Sequence, residues 1–435
     1  MMNKTEKQMN SNQGKQFSDV LLGQIRERFT HVESDPYTGK RIYFENIGGS
    51  LTLKSVVDVV TSLTALPDNA GRKNPASQKI DHIIAQGLED VRNFMGARSG
   101  VIALSESTTS NAYKTLAPII MNVPGDNVVV TDLEHPSIYD ATKILADRYG
   151  KQWRSAKILR AKAIIDIESL LGCIDSQTIV LAIIHGSNNT ATKNDVKEII
   201  RQARKIKPDL YVVVDGSQSA PHTLIDVEDF ACDVYLASSY KTFGKPGASP
   251  VFLSDRASLL PHDKLAGKPE NYWELGTREP AGYASWSAVI DYLCWLAGQS
   301  TSSQDRRELI CAAMLEIEQH ERALTHRMLK GTGEIRGMLD IDGVTVYGEV
   351  EDLTIKDPAF LISVRDMSSA ELVLALDSHS IIVTNRVSDA YSRHTLHALG
   401  IEEGVRVSAC HYNSPQEVDA FLKALTEIAS LQDKP

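Results

Sequence analysis

The residues best suited to chemistry lie at the ends of two apolar runs. Tyr211-Val-Val-Val-Asp215-Gly-Ser-Gln218 closes on an acid, and Asp233-Val-Tyr-Leu-Ala-Ser238-Ser239-Tyr240-Lys241-Thr-Phe-Gly244 closes on a lysine among hydroxyls. A lysine after a strand is ordinarily a solvated turn residue. Here Gly244, Pro246 and Gly247 follow it, and an amine partly dried by such an exit loses its charge more readily and becomes a nucleophile toward aldehydes. That is the chemistry of a Schiff base. Asp215, on a neighbouring strand, supplies the negative partner that a protonated pyridine nitrogen requires.

Other strand ends carry polar clusters. After Val101-Ile-Ala-Leu comes Ser105-Glu-Ser107-Thr108-Thr109-Ser110-Asn111, a hydroxyl-rich turn entering a helix. Taken alone it reads as an N-cap; beside Lys241 it reads as a phosphate site at a helix N-terminus. Glu134-His135-Pro136 follows Asn127-Val-Val-Val-Thr, and His185-Gly-Ser187-Asn188-Asn189-Thr190 follows Ile179 to Ile184. Farther on, Arg406 lies in Val405-Arg-Val-Ser408-Ala-Cys410-His-Tyr412-Asn413. A strand arginine is commonly a surface ion-pair residue, but its planar fork also matches a carboxylate in bidentate fashion.

The elements that must position these groups alternate from about residue 100 to 255. Short strands, Val101–Leu104, Asn127–Thr131, Ile179–Ile184, Leu210–Val214, Val234–Ala237 and Pro250–Leu253, alternate with helical stretches such as Ser110–Met121, Ser137–Tyr149 and Asp195–Lys207. Strands apolar throughout and separated by helices predict a mostly parallel sheet covered on both faces, with ligands gathered at the carboxyl ends. Ser302–Leu329 reads as one long helix leading to a smaller α+β part. The strands expected there are Val344–Tyr347, Ala359–Val364, Ser380–Val383 and Val405–Ser408; the helices are Ser369–Asp377 and Pro415–Leu431. Cys410 is expected within the last of these strands.

These motifs together resemble the class V aminotransferase and cysteine desulfurase group of fold-type I pyridoxal phosphate enzymes, from about Arg41 through Asn413. The resemblance implies an α/β fold with a large, mostly parallel seven-stranded-type sheet and a smaller C-terminal α+β domain. It divides the chain into residues 1–40 packing with the small domain, 41–305 binding cofactor, and 306–435 forming the small domain. It implies that Lys241, Asp215 and His135 are catalytic, with His135 stacked on the pyridine ring. Thr108, Thr109, Ser238 and Tyr240 would hold the phosphate, Gln218 and Asn188 would approach the phenolic oxygen, and Thr277 of Glu274-Leu-Gly-Thr277 would reach the phosphate of a neighbouring subunit in a homodimer. Arg406, with Asn188 and Tyr391, would hold an amino-acid substrate. Where the family commonly has histidine before the lysine, this chain has Tyr240; where a glycine follows the asparagine segment, it has residues around Ala191.

A further departure bears on the reaction. Cysteine desulfurases of the group carry a mobile cysteine upstream of the carboxylate-binding arginine, and Tyr391 stands near its place. No cysteine occurs between residues 312 and 409. A tyrosine cannot accept sulfane sulfur. The expectation is therefore a C–S β-lyase acting on cysteine or a derivative without a persulfide carrier. An aminotransferase or amino-acid epimerase is the alternative, because the same lysine serves all three outcomes. A non-catalytic binding subunit is the alternative of another class.

Composition narrows the remaining classes. Lys and Arg number 46 against 56 Asp and Glu, a net charge of −10, so no global field attracts nucleic acid or anionic lipid. The five cysteines show no metal-type spacing, which predicts reduced thiols, no metal and a cytoplasmic location. The polar stretch Met1–Phe17 reads as a loose tail, neither signal nor anchor, and no apolar run approaches bilayer length.

Overall fold

The computed structural model describes residues 12–67 and 70–432. The tail expected over Met1–Phe17 therefore lies, up to residue 11, outside the described residues. Helix α1 (Asp19–Arg26) is capped by the Ser18 hydroxyl, which accepts from the Leu21 N–H. It buries Leu22 and Ile25. Ile25 and Phe29 pack in the core that also holds Phe243, Tyr292 and Tyr412, while Arg26 pairs with Glu417 at 3.1 Å.

A seven-stranded sheet forms the larger part. Its strands are β1 (Val101–Ser105), β2 (Asn127–Thr131), β3 (Gln152–Ala156), β4 (Thr178–Ile184), β5 (Tyr211–Asp215), β6 (Val234–Leu236) and β7 (Ser249–Leu253), in the spatial order β1-β7-β6-β5-β4-β2-β3. β7 runs antiparallel to both of its neighbours; every other pairing is parallel. β4 is buried at every position. Along β5, Val212 and Val214 enter one apolar core and Val213 the other, the period of two that a sheet covered on both faces demands. Helices α2 (Thr108–Asn122) and α3 (Pro136–Arg148) follow β1 and β2 directly, so their N-termini open at the strands' carboxyl ends.

Helix α4 (Arg306–Lys330), capped by Asp305, leads to a four-stranded antiparallel sheet. It comprises β8 (Val344–Tyr347), β9 (Ala359–Val364), β10 (Thr384–Arg386) and β11 (Gly404–Ser408), ordered β8-β9-β11-β10. One expected strand differs. Ser380–Val383 contracts to Ile381–Ile382, which pairs in parallel with Ile42–Tyr43; Ser380 has φ 60°, and the following residues, Thr384–Arg386, complete the small sheet instead. Cys410 also falls beyond its expected strand, since β11 ends at Ser408.

Candidate active site

The carboxyl ends of β2, β4, β5 and β6 and the N-termini of α2 and α3 surround one pocket. Its lining includes Thr108, Thr109, His135, Asn188, Asp215, Gln218, Ser238, Tyr240 and Lys241, all expected from sequence. Lys241 closes a 3₁₀ turn, Ser239–Lys241, that begins past the end of β6; the Thr242 N–H and hydroxyl donate back to the Ser238 carbonyl at 3.2 and 3.0 Å and hold the turn. Its side chain opens onto the pocket while protein surrounds the remainder. Burial pushes the amine down to about 8, against the pull of Asp215 and with the help of Arg406 and Arg386.

Asp215 is 3% exposed, and one of its oxygens accepts from the Ser217 N–H at 3.0 Å. Gly216 is required there: a β-carbon would collide with the ring and hydroxyl of Tyr235, whose hydroxyl meets His185 Nδ1 at 2.9 Å. His135 is the N-cap of α3. Its Nδ1 accepts from the Ser137 N–H at 3.2 Å, and burial, followed by the charge of Lys241, pushes the ring down to about 3. A neutral imidazole with this tautomer presents its flat face without a charge. Glu134 fixes the position from behind: its Oε1 accepts from the Thr131 hydroxyl at 2.6 Å and the Ile184 N–H at 2.9 Å, tying β2 to β4.

At the α2 end, the Ser107 hydroxyl accepts from the Ser110 N–H, and Ser217 donates to Thr108, which donates to the Ala237 carbonyl at 3.1 Å. Two buried acceptors in the pocket wall, Gln218 Oε1 and Asn188 Oδ1, have no partner. Buried polar atoms need one. The side chains fit pyridoxal phosphate: an open amine of lowered pKa, a carboxylate for a ring nitrogen, a helix N-terminus rich in hydroxyls for an anion, and beside them side-chain amides that can both accept and donate.

Two expected residues stand apart. Thr277 is exposed and lines a separate depression with Glu106, Lys114 and Arg278. Tyr391 is 60% exposed, its ring 6.3 Å from that of His135. Arg406 is 4% exposed and already engaged: Nη1 donates to the Asn188 carbonyl at 2.9 Å and Nη2 meets Glu45 Oε1 at 2.6 Å. Glu45 and Arg386 are the residues that sequence reading missed. The signal for Glu45 was an acid leaving a short strand before Gly48-Gly49; Arg386 lay in view, five positions before Tyr391. Cys410 does not line the pocket. It is 1% exposed and burial, then the neighbouring Glu321, pushes its thiol well up.

The family model for class-V aminotransferases matches residues 42–421. The chain is 27% identical over 427 residues to an aminotransferase-like protein, FGM3, of Gibberella zeae, covering 94% of this chain and 98% of the relative. It is 25% identical over 436 residues to a probable cysteine desulfurase of Xylella fastidiosa, covering 92% and 93%. Among solved structures, a cysteine desulfurase from Thermococcus onnurineus superposes with a TM-score of 0.77 at 23% identity, covering 93% of this chain and 98% of that one. The Escherichia coli cysteine desulfurase CsdA gives 0.76 at 19% identity.

Proposed function

The chain belongs to the class-V aminotransferase family of pyridoxal phosphate-dependent enzymes, and on that premise we propose that it is a C–S β-lyase acting on cysteine or a cysteine derivative. Relatives named cysteine desulfurases support the substrate class. The observation that carries the reading is a complete lysine–aspartate pocket whose neighbouring loop offers Tyr391 and no thiol.

Pyridoxal phosphate, when bound, supplies an aldehyde for the substrate amine and a conjugated ring that draws electrons from the α-carbon. Lys241 Nζ, held near pH 8, takes and returns the α-proton. With the cofactor bound, the Asp215 carboxylate would keep a proton on the ring nitrogen, and His135 would cover the ring. Thr108, Thr109, Ser238 and Tyr240 would hold the phosphate at the start of α2, and the amide NH2 groups of Gln218 and Asn188 would donate to the phenolic oxygen. Arg406 receives the substrate carboxylate beside Tyr391. The enzyme is a cytoplasmic homodimer in which Thr277 of one protomer serves the other's phosphate, built from a cofactor domain over residues 41–305 and a small domain from residue 306 onward, with the described part of the 1–40 segment, residues 12–40, tied to the latter through Arg26 and Glu417. No helix among the described residues is long and apolar enough to cross a membrane.

The test is product analysis with cysteine and S-substituted cysteines: stoichiometric pyruvate, ammonia and thiol or sulfide support the lyase. Conversion of the cofactor to its amine form without pyruvate supports an aminotransferase instead, the reading that the FGM3 likeness favours.

A further inference from the structure

We propose that Glu45 is a specificity-determining residue of the substrate site: it neutralises one of two guanidinium groups, leaves charge for a single substrate carboxylate, and thereby selects amino acids with uncharged side chains. The inference rests on the amino-acid reading above and adds the class of side chain.

The chain builds Glu45 into position deliberately. Its backbone forms a parallel bridge with Ser408, two residues beyond Arg406. The next residues are pinned to the same strand end: Asn46 Nδ2 donates to the Ser408 carbonyl at 2.7 Å, the Ile47 N–H donates to the Ser408 hydroxyl at 3.0 Å, and Tyr412 donates to Asn46. The Gly48 N–H closes a turn onto the Glu45 carbonyl at 3.0 Å. A side chain at position 48 would collide with the Glu45 carboxylate. The result is a carboxylate seated on one edge of the Arg406 guanidinium, beside the place of the substrate carboxylate. Its second oxygen is buried without a partner.

The charges that face this space then come out uneven. Asp215 answers Lys241, and Glu45 answers Arg406. Arg386, at the end of β10, is left over: its side chain makes no hydrogen bond or ion pair among the described residues, and its Nε is buried and unpartnered. Burial and the like charge of Arg406 weigh on it, and Asp389 and Glu45 offset them only in part. The nearest further acid, Asp389, is exposed and accepts from the N–H groups of Tyr391 and Ser392 at 2.8 and 2.9 Å. His135 and His394 add no charge, since burial lowers both. One incoming carboxylate balances the two arginines against two acids, whichever arginine it occupies. A second acidic group on the substrate would face Glu45 with no cation left, a like-charge contact that discriminates strongly where water is excluded.

The test uses cofactor-loaded protein and two probes that carry no amine and do not react, 3-(methylthio)propionate with one carboxylate and succinate with two, titrated by calorimetry. Wild type should bind the monocarboxylate roughly tenfold or more tighter than succinate. Glu45→Gln should raise succinate affinity by about tenfold and so erase most of that preference, Glu45→Asp should keep it, and Gly48→Ala, which pushes the carboxylate aside, should move in the direction of Glu45→Gln. An unchanged ratio in Glu45→Gln, or a wild type that prefers succinate or binds neither probe, overturns the proposal. Because neither probe reacts, these outcomes stand apart from the lyase reading, which fails on its own measure if cysteine and its derivatives release no pyruvate.

Discussion

Two lysines of this molecule have been driven toward neutrality in different ways. Lys241 opens onto the strand-end pocket and is held at about 8. Lys356 is 3% exposed, donates to the Thr190 carbonyl, lies 4.9 Å above the ring of Phe360, and is pushed further, to about 7. Burial dominates both shifts, and the more strongly shifted amine is the more enclosed one, set against a backbone carbonyl and a phenyl ring. A perturbed pKa marks a desolvated group; access to a space lined by complementary chemistry is what separates a reactive group from a structural one. Lys356 instead joins a clasp between the two sheets. Thr192 bridges Lys356, the Lys193 N–H donates to the Ile355 carbonyl at 2.8 Å, and the Asp357 N–H donates to the Ala191 carbonyl at 3.0 Å, so that the small-sheet half grips the loop carrying Asn188.

The two amines differ most at Lys241. Lys241→Ala should lose the borohydride-reducible cofactor linkage and roughly a thousandfold or more of turnover, whereas Lys356→Met should keep the linkage at wild-type stoichiometry. Reductive labelling followed by peptide mapping reads both; label on Lys356 in either protein would invert the assignment. Next in size, Asp215→Ala should retain some cofactor yet lose about a hundredfold in α-proton exchange measured in deuterated solvent, because a neutral pyridine is a poorer electron sink. The same change removes the group that holds the Lys241 amine up, so the pKa of that amine should fall below about 8. Unimpaired exchange removes Asp215 from its role.

Much of this distinction was legible in the sequence because it is written locally. Asn127–Thr131, Val344–Tyr347 and Ala359–Val364 are strands at the ends read for them, since β-branched runs between turn signals leave little choice. Lys241 and Asp215 announced themselves as polar residues ending such runs. What stayed hidden depends on distant partners. Glu45 and Arg406 are 361 positions apart and meet because Ile42–Tyr43 pairs with Ile381–Ile382 and Glu45 then bridges Ser408, two residues beyond Arg406. Ile381–Ile382 and Thr384–Arg386 are separated by a single residue and yet belong to two different sheets, a division no local pattern encodes.

A smaller effect sharpens the contrast from the side of Lys356. A lysine whose folded pKa lies near 7 and whose unfolded value is 10.5 is protonated in the unfolded chain and neutral in the folded one across that window. The unfolded state then binds more protons, so stability contributed by this site rises as pH climbs from about 7 toward 10 and is absent below it, with a slope of up to about 1.4 kcal/mol per pH unit. Lys356→Met has no proton to lose. Its denaturation midpoint should therefore gain less than that of wild type between pH 7 and 9.5 in urea titrations, while turnover changes within about threefold. Parallel stability profiles for the two proteins would show that Lys356 keeps its charge when folded.

The thiols divide in the same way as the amines. Cys410 is to the thiols what Lys356 is to the amines: enclosed, 3.4 Å from His411 Nδ1, and raised by burial away from the thiolate that attacks sulfur. Tyr391, exposed at the pocket's edge, holds the accessible position but cannot carry sulfane sulfur. Neither site then supports a protein-bound persulfide, and sulfur leaving the substrate should depart as thiol or sulfide. Intact-mass spectrometry during turnover with cysteine should show no added sulfur, and Cys410→Ser should turn over within about twofold of wild type, any deficit being one of stability from a changed buried contact. A persulfide on Cys410, together with activity lost in Cys410→Ser and kept in Tyr391→Phe, would mean that a buried group had been made reachable by motion. The rule separating Lys241 from Lys356 would then fail for the thiol, and the enzyme would be a desulfurase with its nucleophile relocated to the small-sheet half.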